Sequence, residues 1–325
     1  TAVAPFSRLD YPEFNLGSRQ QIGRYLQYFG WKPETFTEKG QPIVDESVLN
    51  KVKGIPEAEL IGEYLMVQKR IAQIQSWLDA VQDNGRVHGY VNANGAVTGR
   101  MTHSKPNVAQ VPAGNAPYGK QCREVWTVPT GYKLVGMDAS GLELRMLAHY
   151  MNDKDYTNEI LNGDIHTANQ LASGVETRNQ AKTFIYAFLY GAGDAKIGSI
   201  VGGSARDGKR LKEKFLRNTP ALRTLRERVG VASGRGYVLG LDGRRVAVRS
   251  EHAALNTLLQ SAGAIVMKKA LCLLDEYAQL HKIDYKFIGN IHDEIQTEVA
   301  EKDAERFGRL ATACIEAAGN HYKLN

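Results

Sequence analysis

The sequence predicts an α+β protein in which a largely helical segment is inserted between two sheet-forming parts, each carrying an aspartate at a strand end or hairpin tip. Three observations predict it. The stretch GYKLVGMDASGLELRMLAHYM runs from a buried strand, Leu134 to Met137, through Asp138 into a helix that begins near Ser140. YKFIGNIHDEIQTEV alternates apolar and polar residues on both sides of His292-Asp293-Glu294, which predicts a hairpin with three polar groups at its tip. Between these stretches, residues 152–250 are charged and helix-forming, with breaks at GAGD, VGGSARDGK and ASGRGY.

In chain order, residues 62–81 come first. They place Tyr64, Val67, Ile71, Ile74, Leu78 and Val81 at a 3-4 spacing, which predicts an amphipathic helix with Lys69 and Arg70 on its other face. GRVHGYVNANGAVTGRMTH is alternating and turn-rich, and predicts short strands around an Asn-Gly turn. In RNQAKTFIYAFLYG, Arg178, Lys182, Tyr186 and Tyr190 recur every fourth residue. Steps of roughly 400° let them drift slowly across one helix face over ~18 Å. Ala181, Phe184 and Phe188 fall on the far side and give that face something to bury. Two cations followed by two phenols, at this length, suit a phosphate tail followed by a sugar and a base. Residues 251–281 predict a long helix with Leu255, Leu258, Leu259, Ala262, Ile265, Val266, Leu273, Tyr277 and Leu280 inward, and with Asn256 and Gln260 sharing another face.

The chain has 325 residues, 43% hydrophobic and 23% charged, which suits a globular protein of two or three subdomains and excludes a disordered or fibrous chain. There are 41 Lys and Arg against 35 Asp and Glu, a formal charge of +6 that favours polyanions as partners. Cys122, Cys272 and Cys314 are odd in number and lack a short spacing, so they read as reduced thiols. No apolar run approaches ~18 residues, so no membrane span is expected. The opening TAVAPFSRLD lacks Met, a charged n-region and an apolar h-region, so Thr1 is expected to be an internal start rather than part of a signal peptide.

Asp138 ends an apolar strand and Asp293 sits at a hairpin tip. Either alone is more often a cap or turn residue. If their strands are neighbours the two carboxylates converge, and Mg²⁺ relieves that repulsion with oxygen ligands while leaving positions for substrate phosphates. Two such ions ~3.5–4 Å apart clamp the attacking and leaving oxygens of an in-line displacement. The carboxylates alone fit a two-metal nuclease as well, which has no use for the Arg/Lys/Tyr stripe. His166, in NGDIHTANQ, reads equally as a satisfied surface histidine, and the Gly-rich pieces match neither a P-loop nor a GxGxxG turn.

These residues resemble family A (polymerase I type) DNA polymerases, most closely the replicative enzymes of short-tailed T-odd phages. VTGRMTHSKPNVAQVP resembles the segment that meets the primer–template. DASGLELR resembles the first catalytic motif, RNQAKTFIYAFLYGAG the fingers helix, and NTLLQSAGA with IHDEIQ the last two motifs. The resemblance runs from about FNLGSRQQIGRYLQYFGW onward.

It implies a right-hand polymerase fold with an antiparallel palm sheet and helical fingers. The implied divisions are a lead-in and thumb-base helix over 1–84, a first palm part over 85–151, fingers over 152–249 and a second palm part over 250–325. A proofreading exonuclease domain, most of the thumb with its processivity-factor loop, and a last palm strand would lie outside this chain, and the segment 225–250 is shorter than in phage relatives. The implied function is template-directed DNA synthesis in phage-type replication, in the host cytoplasm. The alternative is a primer–template-binding fragment with little turnover. Asp138 and Asp293 would hold two Mg²⁺ ions with the Ala139 carbonyl, and Glu294 close by. His166, Arg178 and Lys182 would grip the triphosphate of a dNTP, with Lys182 also protonating the leaving pyrophosphate. Tyr186 would lie along the incoming nucleotide, where a phenol implies weak discrimination against dideoxynucleotides. Tyr190 would lie near the templating position, and Glu143 would exclude a ribose hydroxyl. Arg100, Asn107, Gln110, Asn256, Gln260 and His292 would touch the primer–template.

Overall fold

The computed structural model describes residues 13–291 and 293–324. They form two compact units: one ends at His88 and takes back Pro112–Cys122, and the other is Gly89–Val111 with Arg123 onward.

In the first unit, α1 (Arg19–Tyr28), α2 (Glu46–Leu49) and α3 (Pro56–Leu78) gather Ile22, Leu26, Val44, Leu49, Ile55, Ala58 and Ile61 into one core. The Asp45 carboxylate caps α2 by accepting the Val48 N–H at 2.9 Å, and Pro56 opens α3, where a missing N–H leaves nothing unsatisfied. The short helix α4 (Gly119–Glu124), whose first four residues belong to this unit, carries the buried Cys122. The helix expected over 62–81 forms, but its face is not the expected one. Tyr64, Ile71, Ile74, Leu78 and Val81 are exposed, and α3 buries Ala58, Ile61, Gly62, Met66 and Trp77 instead. Periodicity identified a helix, while the small residues Ala58 and Gly62 admit α2 and so decide which side is covered.

The second unit begins with β1 (Tyr90–Asn92) and β2 (Thr102–Ser104), an antiparallel pair with Tyr90 opposite Ser104. The expected short strands flank the Asn-Gly turn, but the connection between them is longer than that turn. Asn94-Gly95 makes only its first turn, and a second is closed by the Ala96 N–H donating to the Arg100 carbonyl at 3.2 Å. Next come β3 (Tyr132–Asp138) and α5 (Leu142–Met151), then α6 (Lys154–Asn162), α7 (Ile165–Ser173), α8 (Arg178–Leu189), α9 (Asp194–Ser199), α10 (Ala205–Asn218) and α11 (Pro220–Ser233). The segment 152–250 is not wholly helical, because β4 (Tyr237–Leu239) and β5 (Arg245–Ala247) close it as a hairpin. The unit ends with α12 (Glu251–Leu280), β6 (Tyr285–Ile291), β7 (Glu294–Ala300) and α13 (Ala304–His321).

The main sheet is antiparallel in the order β3-β7-β6. β3 is an edge strand and was expected to be buried; Met137 is, but Leu134 lies on the Asp138 side of the pleat and is exposed. The opposite face presents Met137, Ile295 and Val299 to a core shared with Phe307 and Cys314 of α13 and with α12. Each such fully buried side chain contributes ~1.5–3 kcal/mol.

Along α12, Leu255, Leu258, Leu259, Ala262, Ile265 and Val266 are buried as expected, but Tyr277 and Leu280 are exposed, Leu273 is half-buried, and Ala270, Leu274 and Ala278 take the inward positions. Against the sequence expectation, α12 is long and apolar enough, by length and composition, to cross a membrane. With 67% of its most apolar window buried, it is the core helix of this unit. All three cysteines are free thiols.

Candidate active site

Antiparallel pairing sets Asp138 opposite Glu294. The Ala139 N–H donates to the Asp293 carbonyl at 3.0 Å, which ties the β6–β7 tip to the end of β3. The two aspartates, remote in sequence, therefore meet. Burial pushes the Asp138 carboxyl up, and the charges of Asp293 and Glu294 push it further. Gln296 donates to Glu294. Gly141 turns the chain from strand to α5 at φ +61°, a region L side chains rarely occupy, while the Ala139 carbonyl accepts the Leu142 N–H at 3.2 Å.

No group of three His, Cys, Asp or Glu side chains forms a ready-made metal cage among the described residues. Two converging carboxylates whose neighbours all raise the Asp138 carboxyl nevertheless fit a hard divalent cation that keeps water and substrate oxygens as its other ligands. His292 lies outside the described residues.

α8 starts with a reciprocal cap. The Gln180 N–H donates to the Thr177 hydroxyl at 3.1 Å and the Thr177 N–H to Gln180 Oε1 at 3.0 Å. Ala181, Phe184, Ile185 and Phe188 are buried, with Phe215 edge-on to Phe184 and Phe188 at 5.2 and 5.3 Å. The opposite face carries the stripe. Arg178 and Lys182 are exposed, Tyr186 is half-buried, and Tyr190 stacks on Tyr186 with ring centroids 6.4 Å apart. Gly191 ends the helix at φ +74°, where a Cβ would lie 2.7 Å from the His252 carbonyl.

Arg178 is already engaged: its guanidinium donates twice to Asp164, at 2.6 and 3.0 Å. Asp164 also caps α7, accepting the His166 N–H at 3.1 Å and the Thr167 hydroxyl at 2.8 Å. Arg178 first, then Thr167, hold its carboxyl far below the ordinary aspartate range. Burial and the charges of Arg178 and Lys182 lower the pKa of His166, so the imidazole is neutral at pH 7, 6.4 Å from the Tyr186 ring. Asp164 escaped sequence reasoning. Its signal was an Asp between Gly163 and the first residue of a helix.

Glu143 joins two other expected site residues, Arg100 and Tyr190, in contacts the sequence reading did not foresee. It is buried on α5, with Oε1 accepting from Arg100 Nη2 at 3.0 Å and Oε2 from the Tyr190 hydroxyl at 2.7 Å. Burial, followed by Glu143, pushes the Tyr190 phenol well up. Burial, Glu143 and Asp293 raise that of Tyr186, so the stripe runs into the electrostatic surroundings of the carboxylates. The loop bearing Arg100 is held by Lys268 of α12, whose Nζ donates to the Ala93 carbonyl at 2.6 Å and to Asn94 Oδ1 at 2.9 Å. Lys268 was also missed, and its signal was a lysine in the apolar run AIVMKKAL. Asn107 precedes the short 3-10 turn Val108–Gln110, and Asn256 and Gln260 lie half-buried about one turn apart on α12.

Three clusters thus share one unit: Asp138 with Asp293 and Glu294, Arg178 with Asp164 and His166, and Arg100 with Glu143 and Tyr190. Among solved structures the fold matches the POL domain of Pol1 from M. smegmatis, in a complex with DNA primer-template and dNTP, at a TM-score of 0.85 and 23% identity, over 94% of this chain and 58% of that one. The fold is that of a right-hand polymerase domain. Residues 5–325 match the model of DNA polymerase family A, and this chain belongs to that family. It is 47% identical to the DNA-directed DNA polymerase of Enterobacteria phage T3 and 46% to that of Escherichia phage T7, each match covering 99% of this chain and 52% of the relative. The chain spans about half the length of these curated relatives.

Proposed function

We propose that this chain catalyses template-directed DNA synthesis, joining the α-phosphorus of a dNTP to a primer 3′-hydroxyl with release of pyrophosphate. The observation that carries this reading is the convergence of Asp138 and Asp293 in the unit that also holds the Arg178/Lys182/Tyr186 stripe. A two-carboxylate site alone is equally suited to hydrolysis; a cationic stripe ending in stacked rings has a use only where a triphosphate, sugar and base must be held in line.

Asp138, Asp293 and the Ala139 carbonyl would hold Mg²⁺, with Glu294 nearby; when bound, two such ions supply activation of the 3′-hydroxyl and charge neutralisation at the phosphates. The residues of the chain do the rest. Arg178 and Lys182 bind the β- and γ-phosphates, with Arg178 exchanging its Asp164 partner for phosphate oxygens. Lys182 gives a proton to the leaving pyrophosphate. Neutral His166 contributes a hydrogen bond rather than a charge. Tyr186 packs along the sugar and base, and Tyr190, fixed by Glu143, marks the templating position. Glu143 fills the space that a 2′-hydroxyl would need, and its buried charge is already satisfied by Arg100 and Tyr190. Arg100, Asn107, Gln110, Asn256, Gln260 and His292 line the primer–template. In a longer parent protein, a processivity factor would engage the thumb.

Primer extension on a labelled DNA hairpin with Mg²⁺ and dNTPs tests this reading. Extension that follows the template and disappears in both Asp138→Ala and Asp293→Ala supports it. Retained hairpin binding without extension in the parent chain makes this stretch a binding fragment instead. Extension that survives both substitutions refutes the site.

A further inference from the structure

We propose that the aromatic cluster at the end of α1, with the hollow beside it, is a binding site for single-stranded DNA built within the first unit. Phe14, Tyr25, Phe29 and Tyr28 form a continuous run of rings, with centroids 5.4, 4.8 and 5.2 Å apart in that order. Folding does not use most of this surface: Tyr28 is 85% exposed, Phe29 53% and Phe14 46%, while Ile22 and Leu26 on the other side of α1 make the core. A contiguous exposed apolar surface of this kind marks an interaction site.

Phe29 also lines a hollow of about 310 Å³ with Trp31, Lys32, Glu34, Lys51 and Lys53. Three lysines face one glutamate, and none of the three is ion-paired among the described residues. The combination selects its ligand. Lysines without partners favour a polyanion, and open ring faces favour planar groups that are free to stack. Single-stranded DNA offers both, because its bases expose π-faces that a duplex hides and its phosphates follow one another along the backbone. Tyr28 and Phe29 stand at 86° to each other, so the surface presents two ring planes, and the hollow takes a base against Phe29 with the lysines at its rim. An acidic protein segment would match the charge but gains less from bare ring faces. None of these residues belongs to the Asp138 site, and the inference does not depend on catalysis there.

The test is fluorescence anisotropy of a labelled short oligo(dT) titrated with the full chain over a series of salt concentrations, with unlabelled primer–template hairpin present in excess. Tyr28→Ala/Phe29→Ala should weaken oligo(dT) binding roughly ten-fold or more. Lys32→Gln/Lys51→Gln/Lys53→Gln, three surface changes, should flatten the salt dependence by about 2 in log–log slope, at ~0.7 for each phosphate no longer neutralised. Hairpin extension should stay at the parent level in both variants, and Asp138→Ala should bind oligo(dT) like the parent, so loss of catalysis and loss of this site are read separately. Oligo(dT) affinity and salt slope equal to the parent's in both variants overturn the inference, and the surface then serves a protein partner or none.

Discussion

The carboxylate end of the β3-β7-β6 sheet and the cationic end of α8 are prepared for charge in opposite ways. Asp138 sits among like charges, and everything acting on its carboxyl raises the cost of ionising it. Arg178, by contrast, is already neutralised by two short hydrogen bonds from its guanidinium to Asp164. A strand pair can hold like charges together because backbone hydrogen bonds fix the register, whereas a long side chain on an exposed helix turn is free to find a counter-ion. The sheet end is thus poised to gain a cation, and the helix end must give up a partner before it can hold an anion.

Four measurements break or sharpen this contrast. The largest effect belongs to the fixed carboxylate. Asp138→Ala should lower kcat for primer extension by about a thousand-fold or more, the range for groups that meet transition-state charge; a loss of only a few-fold would remove the asymmetry. Glu143 offers an internal control, being buried and paired on both oxygens. Glu143→Ala leaves Arg100 and Tyr190 without their acceptor and should lower unfolding stability by about 3 kcal/mol in urea titrations. Arg178→Ala should cost roughly 10- to 100-fold in kcat/KM for dNTP, the worth of a charged hydrogen bond. If Arg178 were purely structural, kcat/KM would track the thermal stability of the variant instead.

Asp164 gives the smallest change and the clearest pH signature. Its carboxyl is held below the usual value near 3.8 in the fold, so its contribution is present above that pH and is lost as pH falls toward its folded value. Asp164→Asn should therefore show a slightly lower Tm than the parent at neutral pH, with the difference shrinking in acid. The same variant frees Arg178, so its KM for dNTP should fall rather than rise.

The placement of the candidate site residues was legible in the sequence where residue spacing and structural period coincide. The buried side of α8 and the meeting of Asp138 with Asp293 follow from period and from strand pairing. What escaped depends on which surface a neighbour covers. The apolar stripe of α3 and the last turn of α12, with Tyr277 and Leu280, have helical periodicity, but packing chose Ala58 and Gly62 in one case and Ala270, Leu274 and Ala278 in the other. Long-range polar partners escaped for a related reason. Nothing in the spacing of Asp164 or Lys268 says which atom lies across the gap, although an Asp opening a helix and a lysine within an apolar run were both visible.

The length of α12 restricts how the chain can change. It places Asn256 and Gln260 near its start and Lys268 two turns later, against Ala93 and Asn94. One inserted residue between Gln260 and Lys268 would rotate everything beyond it by about 100°. Lys268 would then leave the Arg100 loop and the inward residues would turn outward, so insertions and deletions are barred from this stretch. Length variation is left to turns closed within a few residues, such as Gln82 to Arg86 and Gly240 to Arg244, where the chain can lengthen without changing which side of any helix faces the core.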